Sequence, residues 1–267
     1  MTVLDQAFAR CAAEKRAAFV PYITAGDPSL TTTVELVRVL AENGADVIEL
    51  GVPFSDPIAD GPVNQRAAAR ALAAGTTMSG VLDAVSRCRR AVEVPIVLFT
   101  YFNPIHARGI ERFAEQAQAS GVSGVLCVDL PVEEAEDVVP VFRGRGLDAV
   151  FLLAPTSTAE RRKRAGVWSS GFVYYVSRTG TTGERAEIPA TLESEVKAVR
   201  KSTRLPVAVG FGISTPAQVA AVGRVAQGVV VGSALVRVVE EHGASRELSS
   251  VLAARMRELS APLHRRR

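Results

Sequence analysis

Two carboxyl groups in the first quarter of the sequence have surroundings suited to proton transfer. The first is Glu49, within the otherwise apolar run 47–51. Side chains of an extended strand alternate between its two faces, so Glu49 shares a face with Val47 and lies opposite Ile48 and Leu50. If Ile48 and Leu50 pack under helices, Glu49 points inward, where desolvation raises the pKa of an acid and suits it to exchange protons. The alternative is a buried ion pair with an arginine.

The second acid is Asp60, in the loop 51–62 that follows this run. Pro53, Pro57 and Pro62 stiffen the loop, which lowers the entropic cost of holding an acid in place. A structural role is equally open, because aspartate before a Gly-Pro pair is also typical of an Asx turn or a helix cap. Asp60 is therefore a candidate for chemistry or for turn formation.

Glycine-rich segments late in the chain favour an anion site. Residues 210–214 read Gly-Phe-Gly-Ile-Ser, and Gly232-Ser233 follows a later β-branched run. Glycine lets the backbone approach an anion closely, and backbone amides at a helix N-terminus bind phosphate. Glycine also serves tight turns, so one such segment is weak evidence, but two of them favour phosphate.

The segment 178–185 is rich in glycine and threonine and contains no packing residues. This composition is typical of a mobile lid that closes over a substrate. A plain surface loop is the alternative.

Several chemistries are disfavoured by the residues present. All four lysines fall in predicted helices or their flanks, which leaves none at a strand end to form a Schiff base with a substrate or with pyridoxal phosphate. The three histidines are too dispersed for a metal cluster, so no metal is expected. His106 is interpreted as an ordinary loop residue rather than a ligand contact.

Composition favours a globular protein of the cytoplasm. The chain has 267 residues, of which 48% are apolar, and its net charge is only +3, without a basic stripe that would indicate nucleic-acid binding. Three cysteines, an odd number without metal-ligand spacing, fit a reducing compartment. Neither a signal peptide nor a transmembrane helix is expected, since no apolar run reaches about 18 residues.

The elements that must position these residues alternate regularly. Stretches with helical apolar spacing separate eight β-branched runs, at residues 19–24, 47–51, 96–101, 125–129, 150–154, 172–177, 207–211 and 229–232. Eightfold alternation in one undivided chain favours a closed barrel over an open doubly wound sheet. We therefore expect an α/β protein, a single (β/α)8 TIM barrel domain over residues 1–267, with an extra N-terminal helix at residues 3–14. Chemistry in such barrels sits on the loops after the strands.

Boundary signals support this alternation. Asp27-Pro28 and Thr215-Pro216 each place a capping side chain before a proline, which predicts two helix starts. Glycines are predicted to close helices before the next strand, at Gly44, Gly121, Gly146 and Gly228.

With these motifs in place, essentially the whole chain resembles the tryptophan synthase alpha subunit. The segments that carry the resemblance are 19–28, 49–62, 177–183, 210–213 and 232–234, and the second is the most specific. The resemblance implies retro-aldol cleavage of indole-3-glycerol phosphate to indole and glyceraldehyde 3-phosphate without metal or Schiff base. It implies that Glu49 is the proton shuttle, and that Asp60 binds the indole N–H and stabilises the cationic intermediate.

The resemblance also implies the remainder of the site. It maps phosphate contacts onto Gly183, Gly212, Gly232 and Ser233, pocket walls onto Tyr22, Tyr101, Tyr174 and Phe211, and the lid onto Arg178 and Thr182. Thr182 would hydrogen-bond Asp60 on closure. Two residues depart from the family pattern: Asn64, where a branched apolar residue is usual, must find a partner if buried, and Tyr22 replaces a common phenylalanine.

Members of this family work with a pyridoxal phosphate-dependent beta subunit that receives indole. The resemblance therefore implies an alpha2beta2 tetramer, contacts to the partner from Pro53 and Asp56, and a cofactor that belongs to the partner and not to this chain. Three alternatives stay open: a flavin mononucleotide barrel, a non-catalytic activator of a beta subunit, and a free-standing indole-releasing lyase.

Overall fold

A ring of parallel strands forms the centre of the molecule. The computed structural model describes residues 1–176, 190–210 and 212–264. Its strands are β1 (Ala18–Thr24), β2 (Ile48–Gly51), β3 (Ile96–Thr100), β4 (Gly124–Cys127), β5 (Asp148–Val150), β6 (Leu152–Leu153), β7 (Val173–Val176), β8 (Val207–Gly210) and β9 (Gly228–Val231). Each of the eight predicted runs overlaps a strand, and the fifth run, 150–154, overlaps both β5 and β6.

The ring closes through a divided fifth strand. The strands are ordered β5-β4-β3-β2-β1-β9-β8-β7-β6, and β5 and β6 are separated by Phe151 alone. β5 pairs with β4 and β6 pairs with β7, both in parallel, while the Tyr174 N–H donates to the Phe151 carbonyl at 3.0 Å. The predicted (β/α)8 barrel is confirmed, with its fifth strand split into two short segments.

Helices alternate with the strands along the chain. They are α1 (Val3–Ala13), α2 (Leu30–Glu42), α3 (Pro62–Ala73), α4 (Met78–Arg89), α5 (Phe102–Arg108), α6 (Ile110–Ser120), α7 (Ala135–Gly144), α8 (Ala159–Trp168), α9 (Leu192–Thr203), α10 (Pro216–Gly223), α11 (Ser233–His242) and α12 (Leu248–His264). Among the helices described, none has the length and apolar character needed to cross a membrane.

Side-chain alternation divides the core into two layers. Ile48 and Leu50 belong to the outer layer, between strands and helices, whereas Val47 belongs to the layer inside the barrel. The predicted N-terminal helix is confirmed as α1, which adds Leu4 and Phe8 to the inner layer. The Phe8 ring lies 5.1 Å from that of Phe172, so α1 covers the end of the barrel at which the strands begin.

One of the two predicted helix starts is wrong. Thr215 caps α10 as predicted, but α2 is capped by Ser29, whose hydroxyl accepts the Thr32 N–H at 3.0 Å. Asp27 instead accepts hydrogen bonds from Arg70 at 2.7 and 2.9 Å. A buried carboxylate needs such a partner, and the arginine that supplies it lies far away in the sequence.

Three of the four glycines that were predicted to close helices do so. Gly44, Gly121 and Gly146 follow helix ends and have φ values of 102°, 82° and 70°, the left-handed region that glycine enters without strain. The prediction for Gly228 is wrong, because it is the first residue of β9. A Cβ there would lie 2.9 Å from the Cβ of Ala208, so close packing of strands explains this glycine.

Candidate active site

Strand β2 carries Glu49 into the barrel interior. The residue is 1% exposed, and its strand neighbours are Tyr22 on β1 and Val97 on β3. Its inward orientation follows from the alternation that places Ile48 outside. Oε1 of Glu49 has no hydrogen-bond partner among the described residues, and no described arginine pairs with it. The alternative of an ion pair is therefore not realised in the described part of the chain.

Burial raises the pKa of Glu49 to about 8. Because removal from water penalises the charged form, the carboxyl group is mostly protonated near neutral pH. A protonated acid of this strength can give up its proton and, as a carboxylate, accept another. The group is thus suited to shuttle a proton between two atoms of one substrate.

Asp60 is held by a side chain from the neighbouring strand. The Tyr101 hydroxyl, immediately after β3, donates to Asp60 Oδ2 at 2.9 Å and accepts the Ala59 N–H at 3.0 Å. Helix α3 begins at Pro62 after an N-cap, Gly61, that has no side-chain cap hydrogen bond. Asp60 therefore does not act as a helix cap. Burial raises its pKa, and hydrogen bonds from Tyr101 and Asn64 oppose that rise.

Asn64, the polar departure noted in the sequence, lies beside Asp60. It occupies the first turn of α3, and its side-chain amide is close enough to Asp60 to lower the pKa of that carboxyl. Its Oδ1 is buried and has no partner among the described residues. The amide thus lies beside a candidate catalytic acid, while its own acceptor oxygen is unused among the described residues.

Two tyrosines lie near both acids. Tyr22 and Tyr174 are buried, and burial together with the nearby charges of Glu49 and Asp60 raises the pKa of each hydroxyl far above its usual range. Each ring also explains a glycine, because a Cβ on Gly51 would overlap Tyr22 and a Cβ on Gly210 would overlap Tyr174. The glycines that end β2 and β8 therefore make room for the two tyrosine side chains.

The start of α11 has the features of an anion site. Gly232 is its N-cap, and no side chain caps the helix. The N-terminus of α10, in contrast, is closed by a capping box of Thr215 and Gln218. An uncapped helix N-terminus presents free N–H groups and a positive dipole end, both of which favour phosphate. Ser233 is the first residue of α11. Gly212, in the other glycine-rich segment at residues 210–214, is exposed and has a φ of 72°.

Of the other predicted residues, some are described by the structure and some are not. Pro53 is buried and Asp56 is exposed. His106 is exposed on α5, a helix rather than a loop, with its ring 5.8 Å from that of Phe102. Four predicted site residues lie outside the described part of the chain: Arg178, Thr182, Gly183 and Phe211.

An ion-pair network behind the site was not predicted. Arg66 and Arg70 of α3 both contact Glu240 of α11, at 2.6 and 2.8 Å, and Arg70 also pairs with Asp27. The network joins the helix that follows Asp60 to the helix that begins at Ser233. The spacing of two arginines on one helix face was the available signal, although their partners are remote in sequence.

One acid within strand β2, a second on the loop that follows this strand, and an uncapped helix start after β9 are the arrangement of a (β/α)8-barrel enzyme. Comparison with known proteins agrees. A model of the family described as "Tryptophan synthase alpha chain" matches residues 8–262. The tryptophan synthase alpha chain of Geotalea daltonii is 50% identical over 258 residues, 97% of each chain. That of Geobacter sulfurreducens is 51% identical, over 95% of this chain and 97% of its own.

Solved structures lead to the same family. Tryptophan synthase subunit alpha from Legionella pneumophila superposes with a TM-score of 0.91 at 37% identity, over 98% of each chain. A chain from the tryptophan synthase a2b2 complex of Pyrococcus furiosus gives 0.86 at 43% identity, over 91% of this chain and 98% of that one. The chain belongs to the tryptophan synthase alpha chain family. Its activity is that of an indole-3-glycerol-phosphate lyase in tryptophan biosynthesis.

Proposed function

We propose that Glu49 and Asp60 perform the proton transfer and charge stabilisation of this lyase reaction. The observation that carries the proposal is the Glu49 carboxyl itself, which is 1% exposed, has no partner for Oε1 among the described residues and has a pKa of about 8. Burial of an acid without a partner costs folding free energy, and groups with such perturbed pKa values cluster at functional sites. Tyr22 and Tyr174, each near both acids, mark the space between them as the place for the indole ring.

The chemistry assigns each acid one role. Protonated Glu49 gives its proton to C3 of the indole, and positive charge develops toward the ring nitrogen. Asp60 accepts a hydrogen bond from the ring N–H and stabilises that charge. The Glu49 carboxylate then removes the proton of the hydroxyl on the adjacent glyceryl carbon. The bond from that carbon to C3 breaks, its electron pair returns to the ring, and the products are indole and glyceraldehyde 3-phosphate. Glu49 ends protonated, as it began.

We propose that the phosphate of the substrate binds at the start of α11. Gly232 and Ser233 supply backbone N–H groups there, and the helix dipole favours the dianion. Gly212 is assigned to the same subsite because its exposed, left-handed backbone leaves nothing within 4 Å of a Cβ position. Gly183 and Phe211, with the lid residues Arg178 and Thr182, complete the proposal by family resemblance.

We further propose assembly with a beta subunit into an alpha2beta2 tetramer. The loop that carries Asp60 also exposes Asp56, and Ile58 at 73% exposure, so a partner seated on it would act directly on the catalytic loop. Pro53 is buried and would shape that loop. The pyridoxal phosphate belongs to the partner, because the four lysines of this chain follow α1 or lie in α8 and α9, away from strand ends. Three buried, free cysteines suit the cytoplasm.

The test is indole release from indole-3-glycerol phosphate, with and without a beta subunit. Glu49→Gln keeps the shape of the side chain but cannot shuttle a proton, and we expect a loss of about 10²–10⁴-fold, the usual contribution of general acid–base catalysis. Glu111→Gln, at an exposed glutamate of α6, is the matched control. A Glu49→Gln variant within tenfold of wild type would refute the role.

The two arms with the beta subunit separate the partner hypothesis from a free-standing lyase. Stimulation of the wild-type chain by the partner supports the tetramer. Unchanged activity on equimolar mixing would contradict it without affecting the assignment of Glu49.

A further inference from the structure

A second cavity lies at the opposite end of the barrel from Glu49 and Asp60. Its volume is about 500 Å³, and it opens between the ends of α1, α9 and α10. Apolar groups form part of its wall, including Phe8, Leu205 and Pro206. Four basic residues line the same cavity: Lys15, Arg16, Arg200 and Arg204.

Three of these cations form no ion pair among the described residues. Arg16 is bound to Asp46 through two hydrogen bonds of 2.6 and 2.7 Å, so its charge is neutralised. The side chains of Lys15, Arg200 and Arg204 have neither an ion pair nor a hydrogen bond to any residue that the structure describes. The acid among the lining residues is Asp5, and its carboxylate already accepts the Thr2 N–H at 2.8 Å.

The backbone is strained at two of the same positions. Lys15 and Arg204 have φ values of 57° and 59°, and within the described ranges they are the non-glycine residues with positive φ. Both follow helix ends, where glycine is the residue usually found. A side chain is sterically disfavoured in this conformation, because its Cβ approaches the backbone too closely. Both residues in this disfavoured conformation are cations, and both line the same cavity.

We propose that this cavity binds a small organic anion with an apolar body. Lys15, Arg200 and Arg204 would hold its carboxylate or phosphate group, and the wall at Phe8 and Pro206 would cover the apolar part. The volume lies within the range of known ligand pockets, about 300–1,000 Å³. Because the cavity is at the N-terminal face of the barrel, the site is separate from the lyase centre and does not depend on the roles proposed there.

The double variant Lys15→Gly/Arg204→Gly tests the proposal. Glycine suits both backbone positions, so we expect a melting temperature at least equal to that of wild type. The probe is 8-anilinonaphthalene-1-sulfonate, an aromatic anion, titrated by fluorescence. Loss of two charged contacts should weaken its affinity at least tenfold, while indole release stays unchanged. The uncharged analogue N-phenyl-1-naphthylamine should bind wild type and double variant alike.

The matched control is Arg112→Ala/Lys163→Ala, which removes two exposed cations that line no part of the cavity. It should bind the probe as wild type does. Equal affinity of the cavity variant and this control would overturn the proposal, because the probe would then be bound elsewhere. Absence of saturable binding to the wild-type chain would overturn it as well.

Discussion

Tyr101 donates its phenolic proton to Asp60 across 2.9 Å and accepts the Ala59 N–H at 3.0 Å. Tyr101 follows β3, whereas Asp60 lies in the loop after β2. One hydroxyl thus holds both the backbone and the carboxyl group of a loop that belongs to the adjacent strand. The ring of Phe54, 5.0 Å from that of Tyr101, supports this bridge from the same loop.

Tyr101→Phe should lower kcat/KM for indole release about 10–100-fold. It removes one hydrogen bond to a charged group, worth about 1.5–3 kcal/mol, and leaves the packing on Phe54 intact. Since that hydrogen bond lowers the pKa of Asp60, the acid limb of the pH–rate profile should also move to higher pH. Tyr175→Phe removes a comparable bond, to Glu195 at 2.9 Å, far from the acids. Equal profiles for the two variants would refute the assignment.

Glu49 should make the protein less stable as pH rises. The pKa of this carboxyl is about 8 in the folded chain against an ordinary value of 4.5, so between these pH values the unfolded state ionises while the folded state stays neutral. The contribution of the neutral Glu49 carboxyl to the free energy of unfolding is therefore complete below about pH 4.5, and it is lost as the pH rises to about 8. Urea unfolding of Glu49→Gln should show a gain over wild type that grows with pH, by up to about 1.4 kcal/mol per unit. Parallel pH curves would contradict the raised pKa of this buried carboxyl.

Asn64→Leu should change the pKa of Asp60 while leaving Glu49 and Asp60 in place. The Asn64 amide lowers the pKa of Asp60, so its loss should raise that pKa and leave less of the carboxylate at low pH. We expect kcat/KM at pH 6 to fall about three- to tenfold, as for one lost hydrogen bond, with recovery at pH 8. Asn103→Leu, at an exposed position on α5, is the control. A loss that is the same at both pH values would indicate a steric effect instead.

Gly51→Ala should damage the pocket, whereas Gly61→Ala should not. A Cβ at Gly51 overlaps the Tyr22 ring, and one at Gly61 meets nothing within 4 Å. Overpacking of this kind typically costs about 1–3 kcal/mol, and displacement of Tyr22 should also reduce indole release. Thermal unfolding and activity of both variants provide the comparison. A Gly51→Ala protein as stable and active as Gly61→Ala would show that the ring has room to move.

Local pattern was sufficient to predict much of this architecture. The eight strands and the inward direction of Glu49 depend on alternation within a few residues, and the structure agrees with both. The cap assigned to Asp27 was wrong because local sequence cannot reveal Arg70, which reaches it from α3. Gly228 was misassigned for the same reason, since its tight neighbour, Ala208, lies on another strand.

The site depended more on contacts between strands. Sequence left the role of Asp60 open between chemistry and a turn or helix cap. The structure excludes the helix cap, because Gly61 is the N-cap of α3, and the chemical role of Asp60 stays a proposal. Tyr22 and Tyr174 were named through family resemblance alone, whereas their effect on Gly51 and Gly210 follows from ring positions that only neighbouring strands determine. The contacts of Arg178, Thr182, Gly183 and Phe211 stay predictions.

Helix α1 has a consequence for the order in which the molecule can be completed. Its Phe8 packs against Phe172, and β1, which follows it directly, pairs with β9 through Ala18 and Gly228. The N-terminal segment, α1 and β1, therefore makes its contacts with residues that are synthesised much later, at Phe172 and in β9. Such long sequence separation between contacts slows folding, so we expect the N-terminal end of the barrel to be completed only after β9 has been synthesised.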